Sequence, residues 1–76
     1  MRTVTVYTRA GCHLCEAAEQ VVARVAAGRA QVELVDIDTD PALVERYTVR
    51  VPVVAVDGVE VAEFEVDAGQ LEAALR

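Results

Sequence analysis

The chain has 76 residues, 54% of them hydrophobic, and a formal net charge of −6 from 13 acidic and 7 basic side chains. A domain this small buries only about 60% of the surface its unfolded chain exposes, so residues 1–76 make one domain with one core. The charge argues against nucleic acid, which needs basic side chains to displace its counterions, and equally against an anionic membrane surface.

Thr3 to Thr8 alternates Thr-Val-Thr-Val-Tyr-Thr and reads as a first strand. It lacks the sustained apolar run of a secretory signal, and no apolar stretch of the chain is long enough to span a bilayer. A cytoplasmic protein is therefore expected. Stable structural disulfides are uncommon in that compartment, so a cysteine pair there points to catalysis or metal binding.

Arg9-Ala10-Gly11 is a short loop, after which the periodicity changes. Leu14, Ala18, Val21, Val22 and Val25 recur at three- and four-residue spacing, which predicts a helix with one apolar face that starts at Cys12. Gly28 is placed to end it in a left-handed conformation. Gln31 to Ile37 reads as a second strand. Asp40 and Pro41 suit the cap and first position of a short helix running to about Tyr47. Val51 to Val56 reads as a third strand, Asp57-Gly58 as a two-residue hairpin turn, and Val59 to Ala62 as the returning strand. Asp67 to Leu75 closes the chain as a helix with Leu71, Ala74 and Leu75 inward. The order β-α-β-α-β-β-α makes the first half parallel, because a helix crosses between its strands, and the hairpin makes the second half antiparallel. An α/β fold is expected, with a central four-stranded mixed sheet and helices on both faces.

Cys12-His13-Leu14-Cys15 sits where the first strand gives way to the helix. Residues at i and i+3 share one side of the first turn, so the two sulfurs can meet. Unpaired backbone N–H groups and the positive end of the helix dipole both favour a thiolate there. Such motifs bring a thiol from about 8.5 down to about 3.5–7.5. Cys12 is then the nucleophile towards a disulfide, and the more shielded Cys15 resolves the mixed disulfide. A passive buried pair and a metal site are the competing readings. A structural zinc needs four ligands, and only His13 could join the cysteines, so no metal is expected within one chain. Copper(I) or zinc held between two chains stays open.

His13, beside the nucleophile, either favours the thiolate through a positive charge or tunes recognition from solvent. Arg9 stands three residues before Cys12 and could stabilise the thiolate or meet a substrate carboxylate. Gly11 allows close backbone approach or simply serves the turn. Pro52 lacks a donor and marks a strand start or special turn.

Tyr7-Thr8-Arg9-Ala10-Gly11-Cys12-His13-Leu14-Cys15-Glu16, Val35-Asp36-Ile37-Asp38-Thr39-Asp40-Pro41, Val51-Pro52-Val53 and Val56-Asp57-Gly58 together resemble the glutaredoxin-like branch of the thioredoxin superfamily. In particular they resemble the small bacterial glutaredoxin-like proteins that carry C-H-L-C. The resemblance implies a thioredoxin-like fold, a cis Val51–Pro52 bond facing the Cys12 sulfur, and a Val51 backbone that pairs with an extended substrate segment. Two departures stand out. Typical glutaredoxins carry C-P-Y-C, and after the last strand they carry a Gly-Gly pair followed by an acidic residue that holds glutathione. Here the corresponding stretch is Ala62-Glu63-Phe64-Glu65-Val66-Asp67, and Glu63 and Glu65 add negative charge where an anionic tripeptide would sit. Weak or no glutathione binding is expected, and with it no glutathione-dependent iron–sulfur cluster. Asp67 reads as the cap of the last helix.

The expected activity is dithiol–disulfide exchange with no cofactor beyond a redox-active Cys12–Cys15 disulfide. The expected partners are protein or small-molecule disulfides and a recycling reductase or low-molecular-weight thiol, with the protein a monomer. The alternative is a binding or redox-sensing module without turnover, whose acidic 60–67 region docks a basic partner.

Overall fold

The computed structural model describes residues 1–76. The chain runs β1 (Arg2–Thr8), α1 (His13–Ala26), β2 (Ala30–Asp36), a short 3-10 turn (Ile37–Thr39), α2 (Pro41–Tyr47), β3 (Val53–Val56), β4 (Val59–Glu63) and α3 (Ala68–Leu75). The sheet order is β2-β1-β3-β4. β1 pairs with β2 in parallel, Val4 opposite Val32, while the β1–β3 and β3–β4 pairs are antiparallel. A bulge interrupts β3–β4 between Val54 and Ala55.

Alternation along the strands divides the core between the two faces. Val4, Val6, Val54 and Val56 pack with Val22, Val25 and Ala26 of α1 and with Leu71 of α3. Val53 on the other face packs with Ile37 and Tyr47, flanked by Tyr7 and Val51. Tyr7 and Tyr47 stack with ring centroids 4.4 Å apart. The mixed four-stranded sheet with helices on both faces is thus the thioredoxin-like α/β fold that the element order implies.

The helix ends follow local chemistry. Asp40 accepts from the Ala42 N–H with Pro41 at the first position of α2, and Asp67 accepts from the Gln70 N–H to cap α3. Gly28, at φ +73, follows the end of α1. Asp57 and Gly58, at φ 50 and 86, form the hairpin turn in which both central residues are left-handed.

Two strand boundaries and the burial of one residue differ from the sequence reading. Ile37 leaves the second strand, because the Asp36 carboxylate accepts from the Asp38 N–H at 2.9 Å and Thr39 Oγ1 donates to the Asp36 carbonyl at 2.7 Å. These local bonds turn the backbone out of the ladder and drop Ile37 into the core. The third strand begins at Val53 rather than Val51. β3 lies between β1 and β4, where a proline cannot supply a ladder donor, so Pro52 stands just outside it. Leu14 heads the apolar stripe of α1 but is 43% exposed, outside the core.

Candidate functional site

Cys12 is the N-cap of α1, with extended backbone, and its sulfur accepts from the Cys15 N–H at 3.1 Å. The two cysteines are joined as a disulfide with Cα atoms 5.1 Å apart. They differ in access: Cys15 is fully buried, and Cys12 is partly exposed. The cysteine at the cap therefore lies at the positive end of the helix and is partly open to solvent, while its partner is enclosed in the first turn.

The loop ahead of Cys12 turns at Gly11, with φ +75. Beyond its chain neighbours no heavy atom lies within 4 Å of where a Cβ would stand, so this backbone angle is what calls for glycine. His13 is exposed at the first helical position. The Arg9 guanidinium reaches the 3-10 turn and the cap of α2: it pairs with Asp38 at 3.0 Å and donates to Thr48 Oγ1 at 3.3 Å. Arg9 thus ties the loop before Cys12 to the elements beneath it.

The Val51–Pro52 bond is cis. Val51 rests on the Ile37–Tyr47–Val53 cluster. On one side Arg50 anchors the segment, donating from Nε to Glu63 at 2.9 Å and from a terminal nitrogen to Glu60. On the other the Pro52 carbonyl accepts from the Phe64 N–H at 2.8 Å. The Arg50 hydrogen bonds hold the Glu60 carboxyl below its usual range, and Glu63 with Glu60 pushes Arg50 up. Arg46 and Arg50 lie 5.4 and 5.5 Å from the Tyr47 ring centroid. Burial pushes the Tyr47 hydroxyl up, so it remains a neutral donor towards Glu60. Glu63 is therefore half of an ion pair rather than the unbalanced charge its sequence position suggests.

A feature absent from the sequence reading lies on the α1 side. Leu14, Ala17, Ala18 and Val21 form one wall of an open groove of about 250 Å³, and Phe64, Glu65 and Val66 form the other. Phe64 is 44% exposed and has φ +65. The Glu65 N–H donates to the Glu63 carbonyl at 2.8 Å across it, closing a γ-turn of the positive-φ kind, the rarer and more strained form. The only sequence signal for this groove is a large apolar residue between two acids, in Glu63-Phe64-Glu65. No three His, Cys, Asp or Glu side chains converge as a set of metal ligands. No helix is long and apolar enough to cross a membrane.

The chain is similar to known proteins over nearly its whole length. The model of the family described as Glutaredoxin-like domain (DUF836) matches residues 3–76. Target protein XcR50 from X. campestris is 40% identical in its X-ray structure, with a TM-score of 0.79, covering 95% of this chain and 93% of that one. A mutant thioredoxin from Halobacterium salinarum is 29% identical with a TM-score of 0.72, covering 97% of this chain and 71% of that one. The germline-specific thioredoxin Deadhead from Drosophila melanogaster is 28% identical with a TM-score of 0.60, covering 97% of this chain and 77% of that one. The comparison with curated proteins found no match. Together, the fold and the paired cysteines support a redox-type function.

Proposed function

The chain belongs to the glutaredoxin-like domain (DUF836) family, and from that premise we propose that it is a dithiol–disulfide oxidoreductase with Cys12 as nucleophile and Cys15 as resolver. The observation that carries this reading is the unequal access of the two sulfurs. Cys12 is reachable at the cap of α1, and Cys15 is fully buried beneath it.

The Cys12 thiolate attacks one sulfur of a substrate disulfide in line with its S–S bond. That bond breaks, a Cys12–substrate disulfide forms, and the departing thiolate takes a proton from solvent. Cys15, once deprotonated, attacks the Cys12 sulfur. The mixed disulfide breaks, the second substrate thiol leaves, and Cys12–Cys15 remains oxidised by two electrons. The Cys15 N–H and the helix dipole stabilise the Cys12 thiolate before the first attack. Val51 and Pro52 form the platform along which the substrate segment lies, and exposed His13 and the Gly11 turn border it. Arg9 supports the site by fixing the loop before Cys12 to Asp38.

The substrates in this reading are protein or small-molecule disulfides, in a reducing compartment such as the cytoplasm. A reductase or low-molecular-weight thiol restores the dithiol. Glutathione binds weakly or not at all, because the Gly-Gly pair is missing and Glu65 carries no counter-charge. The test is turnover on a disulfide substrate by the wild type, Cys12→Ser and Cys15→Ser. Cys12→Ser is expected to lose activity, and Cys15→Ser to accumulate a mixed disulfide on Cys12, seen by mass spectrometry. Turnover that survives in Cys12→Ser overturns the mechanism.

A further inference from the structure

Each wall of the groove between α1 and the 64–66 turn belongs to a segment that adjoins the redox site. Leu14 lies between the two cysteines in sequence, and the Phe64 N–H is bonded to the carbonyl of Pro52. Two features of Phe64 are unfavourable for the isolated chain. A bulky side chain at positive φ is strained, and the ring it carries is left 44% exposed, so burial does not offset that strain. Leu14, on the facing wall, is 43% exposed as well. A covering group that buries both would recover apolar area at the place where the backbone is strained.

The size of the groove limits that group. About 250 Å³ falls below the range of about 300–1,000 Å³ typical of whole small-molecule sites, and suits one large side chain of a longer ligand. Its charge limits the group further. Six of the seven lining residues are apolar, and the seventh, Glu65, is exposed and takes part in no ion pair, whereas Glu63 beside it is held by Arg50. A lone carboxylate on an apolar groove favours a cation near an apolar side chain and disfavours an anion.

We propose that this groove is a substrate subsite, selecting polypeptide disulfides in which a large apolar residue and an Arg or Lys lie close to the reacting cysteine. This inference rests on the oxidoreductase reading and names its substrate class. The substrate segment follows Val51 and Pro52, its cysteine meets Cys12, its apolar side chain enters between Leu14 and Phe64, and its cation reaches Glu65.

The experiment uses pre-reduced full-length protein in single turnover, with peptides whose one cysteine is linked to thionitrobenzoate. Attack by Cys12 on the peptide sulfur breaks that bond and releases coloured thionitrobenzoate, so no recycling reductant is needed. Three peptides place Phe with Arg, Phe with Glu, or Ser with Arg next to the cysteine. The symmetrical dithiobis(nitrobenzoate) is the reference, and each peptide rate is read as a ratio to it. The Phe–Arg peptide is expected to react about tenfold faster than the Ser–Arg peptide, in keeping with partial burial of one apolar side chain. Phe64→Gly removes the ring and adopts the same φ without strain, so it is expected to erase that preference in a chain that still folds. Glu65→Arg is expected to reverse the order of the Phe–Arg and Phe–Glu peptides, with the difference shrinking as salt is raised. Equal ratios for all three peptides in a wild type that reacts with the reference, or a preference that survives Phe64→Gly, overturn the subsite alone. Failure to react with the reference overturns the oxidoreductase reading and the subsite with it.

Discussion

The backbone N–H of Cys15 donates to the sulfur of Cys12 at 3.1 Å, and this one bond joins the helix cap to the reactive group. A donor that would otherwise be orphaned in the first turn is satisfied by the side chain that is to carry negative charge. In the reduced protein Cys12 is expected to ionise more readily than a free cysteine, because the N–H of Cys15 and the helix end favour its thiolate. The check is alkylation of each cysteine against pH, followed by mass spectrometry, with Cys15 expected to stay protected. Two cysteines titrating together near the free value would count against the cap as the source of reactivity.

Leu71 joins α3 to the core beneath β1 and β3, and it is 1% exposed. Leu71→Ala should cost about 2–5 kcal/mol through lost transfer energy and the cavity left behind. That is a large share of the roughly 4–11 kcal/mol expected for a chain of this length. Urea unfolding should show a much lower midpoint with an unchanged slope.

The Asp67 carboxylate accepts from the Gln70 N–H at 2.9 Å. Asp67→Ala removes the cap and should cost about 1 kcal/mol, and Asp67→Asn, which keeps the acceptor, should cost less. Equal losses in the two variants would assign the effect to charge rather than to capping.

Two carboxyls set the acid limb of stability. The Thr3 N–H, and then Arg2, hold Asp57 below its usual range, and Arg50 does the same for Glu60. With the folded pKa depressed, the unfolded chain takes up protons first as pH falls. The stabilisation is therefore whole above about pH 4, where the unfolded carboxyls are ionised, and is lost as pH falls through the folded values. Asp57→Asn and Glu60→Gln should each flatten the decline of the urea midpoint on the acid side of pH 4. A decline as steep as in the wild type would show that other groups govern it.

Much of this protein could be read from neighbours a few residues apart. The shift from two-residue to three- and four-residue periodicity at Cys12 places the helix start, and Asp40-Pro41, Asp57-Gly58 and Asp67 place caps and a turn. In each case the bond concerned spans only two or three residues. The cysteine pair was legible for the same reason, since i and i+3 meet in one helical turn whatever the rest of the chain does. Where a local bond competed with the apolar pattern, as Asp36 does next to Ile37, the pattern misled and the side chain decided.

Tertiary structure alone settled what depends on distant segments. Nothing in the sequence around Arg9 points to Asp38, yet its charge is bound there, 29 residues on. Val32 and Leu34 alternate like core residues, but β2 is an edge strand and leaves them 40% and 55% exposed. The groove brings residues 14–21 against residues 64–66 because α1 crosses the sheet while β4 and its γ-turn return beside it. Periodicity states which residues seek burial. Only the order of strands and the angle of the crossing helix decide which of them receive it, and so which apolar residues stay open beside the reactive sulfur.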